Sequence, residues 1–538
     1  MFKLPIQYID HHEISPTVSQ DLELTNVHGL EPVCHKVFQP TTDEAKRMSV
    51  EWMKYYTTQT TFLTESVTLF QNSFTKVSTE SFVEKWKMMK SNNEFKTKYH
   101  YIESVWLSNL NYSTTLLFWI SVYFVSSPII CLLTPILLML MPFVIMHSKQ
   151  MPITWDTYYV FFKQFAVNHS IGKLFFKFGT STPDQRIYLV LGAVFFGIQV
   201  YANIYNFYTF YTNICHTYTV LKETEVYLRT TIASMEEMER STQSLSMYTE
   251  FTNDMLVHKD ILQTFLNKLV VSVDPRNVGI LRAHFYELYD DQDLNESLQY
   301  SIDYHGFLQN VQQMQMNLKK RMRPCTFGET TVFKKAHYPI SKPVKNSYSM
   351  KNTIITGPNA SGKTTFIKTL MINVILSQQV GCGFYKSATV HPYETFFSYI
   401  NIPDTSGRDS LFQAEARRCK DILDHVITEK RTLCIFDELF SGTNPKEATA
   451  STISLLSYLA EYPTFTFLLT THFTDVCEQL NIPSIHLYRM KTDVTPLTYH
   501  YKIERGISYV RGGYLVLKQM GFPDPILKHS SMCGELTK

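Results

Sequence analysis

Several features are scarce or missing in this 538-residue chain, and each absence narrows what it can be. Net charge is nearly absent: 50 basic and 48 acidic residues leave a formal +2, so composition does not mark a polyanion-binding protein. Nucleic-acid binding would have to come from a local patch. The nine cysteines, scattered from Cys34 to Cys533, form no CxxC pair and no Cys/His cluster. That pattern excludes a disulfide scaffold and a zinc site, and it reads as reduced thiols in a cytosolic setting. Met1 to Gln20 has no continuous apolar stretch, so no signal peptide is expected there. Most telling, Thr114 to Met146 and Ile187 to Cys215 contain no Asp, Glu, Lys, Arg or His. A bilayer core of ~30 Å needs ~20 apolar residues as helix, so either run is long enough to span it. The competing reading is a pair of buried core helices, although soluble helices of that length usually keep one charged edge.

The first run contains Pro128, Pro135 and Pro142, which suit a kinked helix or a re-entrant hairpin. The second carries Tyr201, Tyr205, Tyr208 and Tyr211, a girdle suited to a membrane interface. Between them, Lys149, Lys163, Lys173, Lys177 and Arg186 face only Asp156 and Asp184. Two simple crossings from cytosolic flanks would put that basic loop outside, against the positive-inside rule, so the number of crossings stays open.

What is present elsewhere, with 44% apolar residues, is enough for large cores in about two to four domains. Residues 1–112 and 216–330 read as helical, with Val220 to Ser241 placing Leu221, Val226, Leu228, Ile232, Met235 and Met238 on one apolar face. Residues 113–215 form a membrane-associated region. From 331 to 500, strand-like runs alternate with helical stretches, the pattern of an α/β domain with a mainly parallel sheet. Residues 501–538 close the chain as a helical segment.

Within the α/β region, the β-prone Asn352 to Thr356 leads into Gly357-Pro358-Asn359-Ala360-Ser361-Gly362-Lys363-Thr364, with Thr365 opening a helix. This is a phosphate-binding loop in its required strand–loop–helix context. Its glycines let backbone N–H groups point at phosphate oxygens, and the following helix adds its positive end. Lys363 would reach the β- and γ-phosphates of ATP, and the Thr364 hydroxyl would ligate Mg²⁺. Leu433 to Phe436 then deliver Asp437 beside the metal and Glu438 where it polarises the attacking water. A further strand, Phe465 to Thr470, ends in Thr471-His472, which places His472 to sense the γ-phosphate or that water.

These elements resemble the ATPase domain of the MutS family of DNA mismatch-repair proteins. Ile354 to Gly362 with Lys363 is similar to that family's TGPNxxGKS/T loop, and Gly381-Cys382 follows its helix. Ser406-Gly407-Arg408-Asp409-Ser410 resembles the family's Ser-containing signature, and Asp437-Glu438-Leu439 with Gly442-Thr443 its DE-x-x-x-GT segment. His337-Tyr338-Pro339 resembles the His-Pro approach to the domain, and Gly506-Ile507-Ser508 with Gly512-Gly513 through Leu527 its closing helical segment. Thr17 to Leu24 and Trp52 resemble the start of the helical core.

The resemblance implies a fold of the MutS/ABC-like P-loop NTPase type, preceded by an all-α core that transmembrane-like helices interrupt here. It implies a dimer in which Ser410 of one copy completes the ATP site of the other, with Tyr348 stacking on adenine. No LSGGQ occurs, which separates the chain from ABC transporters. Departures are equally informative. The mismatch-reading domain finds no room, Phe82-Val83-Glu84 is a coincidental match to its wedge motif, and apolar runs occupy the place of the DNA clamp. Three functions follow as expectations. The first is a membrane-tethered ATPase, its ATPase domain in the cytosol, with DNA and lipid as partners. The second is an ATP-driven membrane-remodelling or signalling module indifferent to DNA. The third is a nucleotide-binding scaffold without turnover, which intact Lys363, Asp437 and Glu438 oppose.

Overall fold

The computed structural model describes every residue except 1, 26–30, 78–79, 341, 401, 403–410, 427–429, 495–496, 511–516, 518–519, 524 and 527–538. Two compact units emerge: Val77–Ala233 with His258–Gln299, and Met1–Lys76 with Ser234–Val257 and Tyr300–Lys538. These limits cut across the boundaries expected at 112, 215 and 330. The reason is that three unbroken helices, Pro183–Thr242, Thr249–Lys268 and Gln292–Lys320, carry the unit boundaries in their interiors.

The first of these units holds the uncharged runs. α1 (Thr114–Ser148) begins at Ser113, whose hydroxyl accepts from the Leu116 N–H at 3.3 Å. Its 35 residues rise ~50 Å at 1.5 Å each. Pro128, Pro135 and Pro142 all lie inside this one helix, so a re-entrant hairpin is not formed. α2 (Pro183–Thr242) carries the second run. Of the most apolar window of each helix, 11% is buried in α1 and none in α2. The buried-core reading therefore fails, and both helices are long and apolar enough to cross a membrane by length and composition.

α3 (Val278–Asp290) grips the start of α1. A Cβ on Gly279 would lie 2.2 Å from the Thr114 carbonyl and 2.9 Å from Phe118, so only glycine allows this approach. Beside it Arg282, 2% exposed, donates to the carbonyls of Leu117 (3.2 Å), Tyr99 (3.1 Å) and His100 (2.8 Å) and to Ser121 Oγ (3.1 Å). Its guanidinium also lies over the Tyr101 and Phe210 rings. Burial lowers the Arg282 pKa, an effect that the Tyr101 hydroxyl partly offsets.

The other unit is built on a six-stranded sheet. In chain order its strands are β1 (Thr353–Thr356), β2 (Thr395–Tyr399), β3 (Thr432–Asp437), β4 (Phe465–Thr471), β5 (His486–Val494) and β6 (Leu497–Arg505). Their spatial order is β6-β5-β1-β4-β3-β2, and all neighbours are parallel except the β5/β6 pair. Such strands are buried on both faces, which is why β1 is buried at all four positions and Leu433–Phe436 of β3 form a continuous apolar run. Ile354, Phe436, Phe467 and Leu469 meet in the core on one side. Arg323–Phe327, Val332–Ala336, Asn346–Ser349, Cys382–Gly383 and Ser387–Val390 form a second, five-stranded sheet.

α4 (Lys363–Val380) follows β1 and is buried on nearly every side. Its polar residues are paired. Lys368 meets Glu23 at 2.9 Å, Asn373 bonds the His337 carbonyl and the Phe384 N–H, and Gln378 bonds Tyr393 and Thr57. Gln379 donates to the Met53 carbonyl, so residues before Lys76 cover the far side of α4. The helix stops at Gly381, whose φ of +68° and close approach to the Leu63 carbonyl require glycine. The expected α/β domain with a mainly parallel sheet, preceded by helix-rich sequence, is the observed architecture.

Candidate nucleotide site

β1 ends at Thr356, and residues 357–362 turn the chain before α4 begins at Lys363. The turn is tight. Gly362 holds φ at +91°, and a Cβ there would lie 2.9 Å from the Tyr501 ring. A Cβ on Gly357 would lie 2.9 Å from Ser361 Oγ and 3.2 Å from Met490. Ala360 also takes a left-handed φ of 63°. Ser361 Oγ is buried without a hydrogen-bond partner among the described residues. A cradle that no extra Cβ could enter, an orphaned hydroxyl and a helix N-terminus together fit a phosphate group.

Lys363, 5% exposed, is folded over this loop. Its Nζ donates to the carbonyls of Gly357 (3.0 Å) and Pro358 (3.4 Å) and lies 3.6 Å from Glu438 Oε1. The next residue, Thr364, donates its hydroxyl to Asp437 Oδ2 at 2.8 Å, while Thr470 donates to Asp437 Oδ1. A carboxylate and a hydroxyl joined at the loop's edge form an oxygen donor set of the kind that suits Mg²⁺. The sheet explains the meeting. β1, β4 and β3 lie side by side, so the loop, His472 and Asp437 all emerge at the carboxyl ends of adjacent parallel strands.

After β3 the backbone takes two left-handed residues, Glu438 (φ 55°) and Phe440 (φ 56°). Strain of that kind is held only where surroundings over-determine it. Here the Glu438 N–H bonds the Thr470 carbonyl at 3.0 Å, and the Phe440 N–H bonds the Tyr399 hydroxyl at 3.3 Å. The result presents the Glu438 carboxylate to His472 Nδ1 at 3.5 Å and to Lys363. The His472 hydrogen bond, with the charges of His472 and Lys363, outweighs burial and holds the Glu438 pKa below its ordinary value. An ionised carboxylate there can accept a proton from water.

A cavity of about 630 Å³ opens over the loop. Asn359, Ala360, Gly362, Lys363, Thr364 and Thr365 line it together with Asp437 and Glu438. Tyr338, Ile340, Pro343, Val344 and Phe366 supply an apolar part of the wall. The structure thus brings Lys363, Thr364, Asp437, Glu438 and His472 together. Tyr348 is placed elsewhere. It is 4% exposed, shares a hydrogen bond with Thr353 Oγ1, and sits edge-on between Phe366 and Tyr488. Its ring is a core wedge rather than a cavity wall, so stacking on adenine gains no support. Ser410 lies outside the described residues, as do Ser406, Gly407, Arg408 and Asp409.

Two contributors had no motif to reveal them. Tyr501, in β6, closes over Gly362, and its carbonyl accepts from Asn346 Nδ2 at 3.0 Å. Glu415, buried in α5 (Leu411–Val426), accepts from Ser441 Oγ (3.0 Å) and from the Gly442 N–H (3.2 Å). It ties the helix that follows Ser410 to the loop that follows Glu438.

Comparison with known proteins agrees with this geometry. MutS domain V matches residues 353–536. Endonuclease MutS2 of Leuconostoc mesenteroides is 30% identical over 185 residues, covering 33% of this chain and 22% of that protein. Endonuclease MutS2 of Staphylococcus saprophyticus is 25% identical over 272 residues, covering 48% and 34%. MutS protein homolog 4 of Mus musculus is 29% identical over 214 residues, covering 36% and 22%. The chain spans between about a fifth and a third of the length of these relatives. These likenesses assign residues 353–536 of this chain to MutS domain V.

Proposed function

We propose that this chain is a membrane-tethered ATPase of the MutS type that works as a dimer. The observation that carries the reading is the bond from Thr364 to Asp437 at the edge of the phosphate cradle, with Lys363, Glu438 and His472 converging beside it. Gly357 through Thr365 bind the phosphates of ATP, and Lys363 exchanges its loop carbonyls for phosphate oxygens. Thr364 and Asp437 would hold Mg²⁺, which when bound neutralises phosphate charge. Glu438 takes the proton from the attacking water, and His472 keeps that carboxylate oriented and ionised. Ser410 of a second copy completes the site, and residues 501–538 support that pairing. The exposed apolar faces of α1 and α2 supply the tether, with the ATPase unit on the cytosolic side.

The likeness of residues 353–536 to MutS domain V, with two relatives named as endonucleases, supports a role on DNA or in mismatch repair. A second reading is favoured by α1 and α2 themselves: ATP-driven pairing moves the apolar helices, and DNA plays no part. The full chain in detergent, assayed with homoduplex DNA, mismatched DNA and liposomes, separates the two. Stimulation by DNA supports the first, and stimulation by lipid alone the second. In either case Glu438→Gln should lower turnover by roughly 10²- to 10⁴-fold while bound ATP is retained. Unchanged turnover would remove Glu438 from its role.

A further inference from the structure

A second cavity, of about 490 Å³, adjoins the nucleotide cavity, and Ile340 and Pro343 belong to the walls of both. Its chemistry is one-sided. Lys320, Arg321, Arg323, Lys335, Lys345 and Lys386 line it, and no carboxylate does among the described residues. Arg321 is committed: it donates to the Lys36 and Val37 carbonyls and lies over the Phe384 ring. Arg323 is partly committed, to the Leu318 and Met322 carbonyls. The ammonium groups of Lys320, Lys335, Lys345 and Lys386 have no hydrogen-bond or ion-pair partner among the described residues. His337 adds no charge at neutral pH, because burial and the nearby Lys345 hold its pKa down. Concentrating cations in a concave site without counter-charge raises a potential that attracts anions. In a chain of net charge +2 this is a local feature, not a consequence of composition.

We infer that this cleft binds a compact anion bearing several phosphate groups, either free in solution or as the headgroup of a membrane lipid. Two observations favour it over a nucleic-acid strand. The aromatic residues of the cleft, Phe384 and Tyr385, are both buried, Phe384 beneath the Arg321 guanidinium, so neither offers a face for a base to stack on. The volume also suits a compact ligand and not a duplex. Unpaired lysines around a phosphate cluster make charge-assisted hydrogen bonds without the base-reading groups that sequence recognition needs.

The test is calorimetric titration of the full chain in detergent. The probes are inositol hexakisphosphate, mixed micelles doped with phosphatidylinositol bisphosphate, and single-stranded DNA. Binding of inositol hexakisphosphate supports a soluble ligand, and binding of doped micelles alone supports a lipid headgroup. Either should weaken roughly tenfold or more in K335E/K345E/K386E, since charge-assisted contacts are the strong ones. The neutral triple change of the same lysines to Gln should fall between, which separates lost charge from lost fold. Lys363→Ala should leave this binding intact. The inference is overturned if neither phosphate probe binds, if Lys363→Ala removes the binding and the triple variant does not, or if DNA binds more tightly than both and is lost in the triple variant.

Discussion

Two helices of this chain break the rule of apolar inside and polar outside, in opposite directions. α4 is buried nearly all round yet carries Lys368, Asn373, Ser377, Gln378 and Gln379, each hydrogen-bonded within its own unit. α1 is largely apolar and uncharged from Thr114 to Met146 yet leaves Trp119, Ile129, Leu132, Ile136 and Val144 exposed. The contrast shows where each helix finds its solvent. For α4 the answer lies in the chain, because buried polar groups are tolerated only when paired. For α1 it lies outside, because apolar surface left in water forfeits about 25 cal/mol per Å². On the proposed reading, that outside is lipid.

The comparison can be broken by exchanging the chemistries. Leu132→Arg puts a charge at mid-helix in α1, and it should cost ~3 kcal/mol of membrane insertion. A fall in the membrane-bound fraction would measure it; an unchanged fraction would mean that this face meets water. Gln378→Leu makes the opposite exchange in α4. It strips partners from the Tyr393 N–H and carbonyl and from the Thr57 carbonyl, and it should lower stability by about 2 kcal/mol, read by denaturant unfolding. No loss would show that α4's polar residues are incidental.

The smallest effect is at the site. The Glu438 pKa is depressed, so the stability its carboxylate adds is complete above the unfolded value and is lost as pH falls through the lower folded one. His472→Ala removes the largest cause and leaves burial to push the other way. The acid limb of the kcat–pH profile should then move to higher pH. An unmoved limb would separate His472 from Glu438.

Much of the site was legible in the sequence because its chemistry is local. The loop from Gly357 to Thr364 and the Asp437-Glu438 pair are contiguous, and flanking β-prone runs fix the strands that carry them. What escaped depends on contacts distant in sequence. Tyr501 reaches Gly362 through the β5/β6 pairing, and Glu415 reaches Gly442 from a separate helix, with no motif to mark either. Tyr348 is ambiguous in the sequence because an aromatic residue before β1 serves equally as wall or wedge. Its hydrogen bond to Thr353 makes it a wedge. Unit boundaries were hidden for another reason: composition changes within helices such as α2 that pass straight through them.

The most direct test of the contrast between α1 and α4 is alkaline carbonate extraction of membranes from cells expressing the full chain. The account predicts that the protein stays with the bilayer and leaves it only in detergent. Release into the aqueous fraction as a soluble, monodisperse species would contradict it.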